Sequence, residues 1–152
     1  MHELTLRQIP SGNDLKVALA AAGLPIDDLD DPGRIYFECL DQEGVLIGFS
    51  GLEECGQDFL LRSMVILPEF RSQGFGRELI LATIARTPPS AGIYLVTTTA
   101  ATFFELLGFD TLKRDFVPER ILSTRQLSAL CPASVTTMKL NRSPPLRRQA
   151  ER

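Results

Sequence analysis

Arg71-Ser72-Gln73-Gly74-Phe75-Gly76 separates an apolar run, Leu60 to Leu67, from an amphipathic one, Arg77 to Ala85. A strand that turns through two glycines into a helix start leaves several backbone N–H groups without intrahelical acceptors in one place. Those donors, with the positive end of the helix dipole, make a cradle for phosphate oxygens. Gly74 and Gly76 remove the Cβ that would hold a ligand away from the backbone. Arg71 and Arg77 put positive charge at the rim. The run from Arg71 to Arg77, with Ser72, Gln73 and Phe75 inside it, is therefore the candidate pyrophosphate contact. It is not a P-loop, which needs Gly-x-x-x-x-Gly-Lys-Ser/Thr. It is not the dinucleotide fingerprint either, because its spacing stops at Gly-x-Gly.

The rest of the chain narrows the class. Its 152 residues predict one domain, long enough to bury roughly 68–70% of the unfolded surface. Hydrophobic residues make up 44%, so disorder is not the default. A net charge of −3 argues against a nucleic-acid partner. No apolar run approaches the ~20 residues of a membrane span, and Met1-His2-Glu3-Leu4 does not open a signal peptide. Cys39, Cys55 and Cys131 lack Cys-x-x-Cys spacing and read as reduced thiols of a cytoplasmic protein. His2 is the single histidine and sits at the terminus, so no metal site is expected.

Pattern and turn residues give an order of elements. Leu4 to Ile9 alternates as a first strand, ended by Pro10. Ser11 is the expected N-cap of a helix carrying Leu15, Leu19 and Ala22, stopped by Gly23 and Pro25. Ile26 to Pro32 is an acidic, turn-prone stretch. Arg34–Leu40 and Val45–Glu53 are strands joined by the turn Asp41-Gln42-Glu43-Gly44, and a second turn at Cys55 to Asp58 leads to the fourth. After the phosphate loop come a helix to Ala85, a strand at Ile93–Thr97, and a helix at Ala100–Leu107 stopped by Gly108. A strand at Phe109–Phe116, an interrupted helix over Pro118–Leu130 and a last strand at Val135–Leu140 complete residues 1–140. Residues 141–152 read as a mobile tail. The fourth and fifth strands flank a crossover helix and should be parallel.

Arg-x-x-Gly-x-Gly after a strand, in this order of elements, resembles the coenzyme A signature of the GNAT superfamily of N-acetyltransferases. The resemblance covers about residues 4 to 140. It implies an α/β (α+β) fold: one mixed, mostly antiparallel twisted sheet, flanked by helices. Its fourth and fifth strands are parallel and splay apart. It also implies acetyl-CoA as cofactor, its pantetheine arm paired with backbone near Met64, Val65 and Ile66. A second block is more diagnostic: Thr97-Thr98-Thr99-Ala100, Phe104-Glu105-Leu106-Leu107-Gly108-Phe109 and Leu130-Cys131-Pro132-Ala133-Ser134. It resembles the arsenic-resistance N-acetyltransferase subfamily and is similar to the acetyltransferase domain of N-acetylglutamate synthases. The resemblance implies transfer to the α-amine of a small amino acid or a toxic glutamate analogue, arsenical or phosphinic. An N-acetylglutamate synthase-like biosynthetic enzyme and a non-catalytic acyl-CoA-binding sensor are the alternatives. The superfamily includes monomers and homodimers.

The resemblance also assigns roles. A backbone N–H freed at a bulge in the fourth strand would polarise the thioester carbonyl. Relatives protonate the leaving thiolate with a tyrosine four residues before the glycine of Gly-Phe, and here that position is Phe104. A hydroxyl of Thr98, Thr99, Thr102 or Ser63, or water, would have to serve instead. An α-amine, with a pKa of about 7.7–8.0, needs less help from a base than a lysine near 10.4. Glu53 is the candidate proton relay, or else a solvated carboxylate at a hairpin. Arg62 is the one charge in an apolar strand. It would bind an acidic substrate, or else form a structural ion pair with Glu53 or Glu38. Alternation puts Arg62 and Ser63 on opposite faces unless a bulge intervenes. Arg120 and Arg125 are further candidate anion ligands, or a solvated face. Thr99 and Phe103 are candidate cofactor contacts. Cys131 reads as a buried small residue or a thiol for arsenic.

Overall fold

The computed structural model describes residues 3–124 and 135–142. Seven strands form one sheet in the order β1-β2-β3-β4-β5-β7-β6. They are β1 (Thr5–Ile9), β2 (Arg34–Leu40), β3 (Leu46–Cys55), β4 (Asp58–Ile66), β5 (Ile93–Thr97), β6 (Phe109–Thr111) and β7 (Thr136–Leu140). The helices are α1 (Asn13–Ala21), α2 (Phe75–Ile84), α3 (Ala101–Leu106) and α4 (Glu119–Leu122). Every neighbouring pair is antiparallel except β4 and β5. This is the mixed sheet expected from the sequence.

Two faces of the sheet are covered separately. Leu79 and Ile80 of α2 pack with Leu61, Leu95, Leu52, Phe37, Phe109 and Met138. On the opposite face Leu15 and Leu19 of α1 pack with Leu29, Tyr36, Phe49 and Val65. A third cluster, on the α1 side, joins Leu60 and Tyr94 to Val117 and Ile121. Tyr36 and Phe37 go to opposite clusters, as the period of two along a strand requires. Among the described residues no helix is long and apolar enough to cross a membrane.

Several local expectations are corrected. The sixth strand stops at Thr111, and a 3-10 turn at Arg114–Phe116 takes over within the charged run Lys113-Arg114-Asp115. Of the interrupted helix expected over Pro118–Leu130, the described residues contain one turn, Glu119–Leu122, after which the Thr124 hydroxyl bonds back to the Ile121 carbonyl at 2.8 Å; the part from residue 125 on lies outside the described residues. Ser11 does not cap α1: Gly12 takes the N-cap position, and the Ser11 hydroxyl donates to Asp30 instead. Asn141 and Arg142, assigned to the tail, are held. Arg142 Nη1 donates to the carbonyls of Pro88, Pro89 and Ala91, and Asn141 N to that of Gly108.

Candidate active site at the splayed strands

β4 and β5 are paired only at Phe59 with Ile93 and Leu60 with Tyr94. Beyond Leu60 the parallel pairing ends. There β4 also breaks register with β3: Gly51 faces Arg62 and Phe49 faces Val65, so Ser63 and Met64 together oppose Ser50. Two residues against one is a β-bulge. Its first residue, Ser63, has φ +57°. The bulge reverses the side-chain alternation. Leu60 and Arg62 face the α1 side, and so does Val65 rather than Met64. This permits Arg62 and Ser63 to border one cleft.

Glycines on β3 make room for the bulge. A Cβ on Gly48 would collide with the Val65 carbonyl oxygen, and one on Gly51 would sit 3.0 Å from the Tyr36 ring. Ser50, buried between them, lies 2.8 Å from the Thr83 hydroxyl of α2, which ties the helix behind the phosphate loop to the strand opposite the bulge.

The opening between the strands is a cleft of about 420 Å³. Its walls are Ala22 to Pro25 at the end of α1, Leu61 to Met64 on β4, Leu95 to Ala100 on and after β5, Phe104 and Val135. Thr98 and Thr99 are exposed at its mouth, and Ser63 and Met64 are half-buried. The Thr97 hydroxyl is engaged, accepting from Ala100 N at 3.0 Å. Phe104 lies edge-on to Phe103 and Phe109, with ring centroids at 5.3 and 5.7 Å. It offers no proton.

The phosphate loop follows β4 through a 3-10 turn, Pro68–Phe70. Ser72 and Gly74 are both left-handed, at φ +64° and +86°, and Gly74 is the N-cap of α2. No side chain caps this helix, so helix geometry leaves the first-turn N–H groups of Gly76 and Arg77 directed outward. Arg71 bends back to donate its Nε to the Ile66 carbonyl at 2.8 Å, which fixes the loop against the end of β4. Arg77 is exposed. Phe75 contributes backbone only: its side chain is buried and packs edge-on against Phe70. Phe103 stands over Gly76, with Cζ 3.6 Å from where a Cβ would lie.

The charged candidates are placed differently from the cleft's hydroxyls. Arg62 is buried, and its forked Nη1 and Nη2 donate to both oxygens of Asp28, each at 2.6 Å. Nη1 also reaches Glu53 Oε1 at 3.0 Å. Arg34 closes the ring, with Nη2 2.9 Å from Asp28 and Nη1 3.1 Å from Glu53 Oε2. Glu53 is thus neither solvated nor open to the cleft, because both of its oxygens face guanidinium groups. Glu38 pairs with Arg7 instead. Burial alone would raise the Asp28 pKa, but hydrogen bonds and charge from Arg62 and Arg34 prevail and hold it below its ordinary value.

Sequence reasoning missed Asp28, which is fully buried. The signal was indirect: a strand arginine demands a buried carboxylate, but Asp27, Asp28, Asp30 and Asp31 are indistinguishable in sequence. Arg120 lies at the other end of β4, bonded to Asp58 with its Nε at 3.0 Å. Arg125 and Cys131 lie outside the described residues. Cys39 and Cys55 are free and buried, and burial pushes both thiols up to about 11. No cluster of metal-ligating side chains occurs among the described residues.

The family model of the acetyltransferase (GNAT) domain matches residues 32–111, the segment that carries the bulge, the loop and the splay. The chain belongs to the GNAT acetyltransferase family. No curated protein sequence matches it. The acetyltransferase fold recurs in N-acetylglutamate synthase from Neisseria gonorrhoeae, solved with coenzyme A and N-acetyl-glutamate. The TM-score is 0.71 at 15% identity, over 92% of this chain and 35% of that one. It recurs in a mutant of the spermidine N-acetyltransferase SpeG from Vibrio cholerae, with TM-score 0.65 at 19% identity over 97% and 98%. A GNAT-family acetyltransferase from Staphylococcus aureus Mu50 matches with TM-score 0.59 at 18% identity over 91% and 100%. At these identities the likeness establishes the fold. Acetyl-CoA is the cofactor of this acetyltransferase fold, and the residues present fit it: an uncapped helix start with two left-handed residues before it, beside an unpaired strand edge.

Proposed function

We propose that the protein moves an acetyl group from acetyl-CoA to the α-amine of a small amino acid or a toxic amino-acid analogue. One observation carries this reading: the Ser63 bulge and the end of β4/β5 pairing open a cleft at the finish of β4, the strand that leads into the glycine loop. In this reading Ser72, Gln73, Gly74, Gly76 and Arg77 hold the pyrophosphate, with Arg71 and the Phe75 backbone fixing the loop. Met64, Val65 and Ile66 offer backbone groups to the pantetheine amides, and Thr99 and Phe103 wall the arm. Acetyl-CoA brings an activated thioester carbonyl. The backbone at the bulge supplies a donor aimed where negative charge develops. In this reading Ser63 and Thr98, which line the cleft, supply the exchangeable proton that Phe104 lacks.

The acceptor is an amine that reaches the site partly neutral. An α-amine meets this near neutral pH, with an unperturbed pKa of about 7.7–8.0. Recognition of a second, acidic group is less supported by the described residues. Arg62 is neutralised by Asp28 and Glu53, and Arg120 is spent on Asp58. The glutamate-analogue substrate thus rests on the Thr-rich strand end and on the resemblance it carries. A biosynthetic reading, acetylation of glutamate itself, is favoured by the synthase likeness over 92% of the chain. This chain spans about a third of that synthase.

Thiol release from acetyl-CoA across a panel of amines tests the proposal: glutamate, a phosphinic and an arsenical analogue, aspartate, spermidine and a lysine peptide. Saturable turnover of the analogues with little on glutamate supports detoxification, and glutamate alone supports biosynthesis. Spermidine or the peptide alone overturns the α-amine reading. Coenzyme A binding with no turnover on any amine favours an acyl-CoA sensor.

A further inference from the structure

The buried ring of Asp28, Arg62, Glu53 and Arg34 is not explained by stability. Two carboxylates and two guanidinium groups removed from water are costly, and apolar residues of similar volume commonly serve a core as well. The ring also leaves Arg34 Nε and Arg62 Nε buried without a hydrogen-bond partner. What a bidentate fork supplies is direction and register.

The direction points to the cleft. Asp28 belongs to the connection between α1 and β2, whose first residues, Ala22 to Pro25, form one wall. Arg62 immediately precedes Ser63, the first residue of the bulge. The fork between them therefore spans from the wall to the bulge. A second, uncharged contact acts on the same connection: the Tyr36 hydroxyl donates to the Leu29 carbonyl at 2.9 Å. Tyr36 is seated over Gly51, the residue opposite Arg62, so this contact is built on the same part of the sheet.

We infer that Asp28 is a positioning residue for acetyl transfer, its fork to Arg62 fixing the α1–β2 wall of the cleft against the β4 bulge. The inference rests on the proposed acetyltransferase reading. Asp28 touches neither the phosphate loop nor the hydroxyls of the cleft, and it acts through Arg62.

Asp28→Glu keeps the charge balance and lengthens the arm by one methylene. Tyr36→Phe keeps the packed ring and removes one bond to the wall. The expected result for Asp28→Glu is a fall of about tenfold or more in kcat/KM for the amine, with coenzyme A affinity by calorimetry within twofold of wild type. Tyr36→Phe should move the same parameter in the same direction by about twofold to fivefold. In both variants, amide hydrogen exchange should quicken in residues 22–33 and at the bulge and stay unchanged in α2. Wild-type amine kinetics in a folded Asp28→Glu protein would overturn the inference. So would equal losses of amine turnover and coenzyme A affinity, or quickened exchange spread over the whole sheet, which mark a merely structural role. If Asp28→Glu does not fold, Arg62→Lys, which keeps the charge but cannot form the bidentate fork, decides by the same two readouts. If the wild type turns over no amine, the acetyltransferase reading fails by itself. Exchange confined to the wall and the bulge then still supports the fork's role, and its absence overturns it.

Discussion

β4 has two ends, and each opens on a groove. The one at its start is larger, about 680 Å³, and is rich in charge: Asp58, Arg120, Asp110, Lys139 and Arg142. The one at its finish is about 420 Å³ and is lined mostly by small, apolar and hydroxyl side chains. Size and charge would select the first as the site. Backbone hydrogen bonding selects the second. At the start, β4 is laddered to β5, Gly92 N donates to Asp58, and Arg120 and Arg142 are occupied by Asp58 and by carbonyl oxygens. At the finish, a bulge, a lost ladder and an uncapped helix leave donors unused by the fold. A site of the proposed kind, one that binds amides and phosphates, needs spare backbone groups more than spare charge.

The contrast can be broken from the buried ring first. The folded pKa of Asp28 lies below its ordinary value, so the unfolded chain binds a proton more readily. Its stabilising contribution is complete above the ordinary pKa of 3.8 and is lost as pH falls through the lower folded value. Removing one partner of a buried pair costs about 3–5 kcal/mol. Unfolding free energies of wild type and Asp28→Asn from urea titration should therefore differ by that order at pH 7 and converge in strong acid.

Next in size is Gly48→Ala, which pushes a methyl into the Val65 carbonyl beside the bulge. A loss of about 3 kcal/mol is expected by chemical denaturation, at the upper end of overpacking costs.

Gly74→Ala forces a left-handed alanine at the start of α2 and should cost about 1–2 kcal/mol. Coenzyme A binding should weaken about tenfold, as calorimetry would read.

The smallest effect sharpens the comparison from the far end. Arg120→Ala removes an exposed pair with Asp58, worth about 0.2–1 kcal/mol. Amine kcat/KM should stay within twofold. A large loss there would mean that the wide groove takes part in catalysis.

Much of the fold was legible because its signals are local. Gly74, the amphipathic run from Arg77 to Ala85 and the apolar run Ile93–Thr97 each act within a few residues. The failures were competitions that pattern does not rank. Ser11 bonded to Asp30 across a loop rather than to its own helix, and Phe109–Phe116 bent away after three strand residues. At the candidate site, the glycine turn before α2 and the absence of a tyrosine at Phe104 were readable. The roles of Arg62, Glu53 and Arg120 were not, because an ion pair is chosen by distance in space. The partners of Arg62 are 34 and 9 residues away.

The sequence by itself determined the order of elements, the glycine turn into α2 and the need to pair Arg62, because turn chemistry, helix starts and the cost of a buried charge belong to single residues and short spacings. Only the tertiary structure decided that Asp28 answers Arg62, that the bulge falls at Ser63, and that Arg120 stands at the opposite end of β4 from the bulge. Those outcomes depend on which strands lie side by side and in what register, and long-range packing sets register.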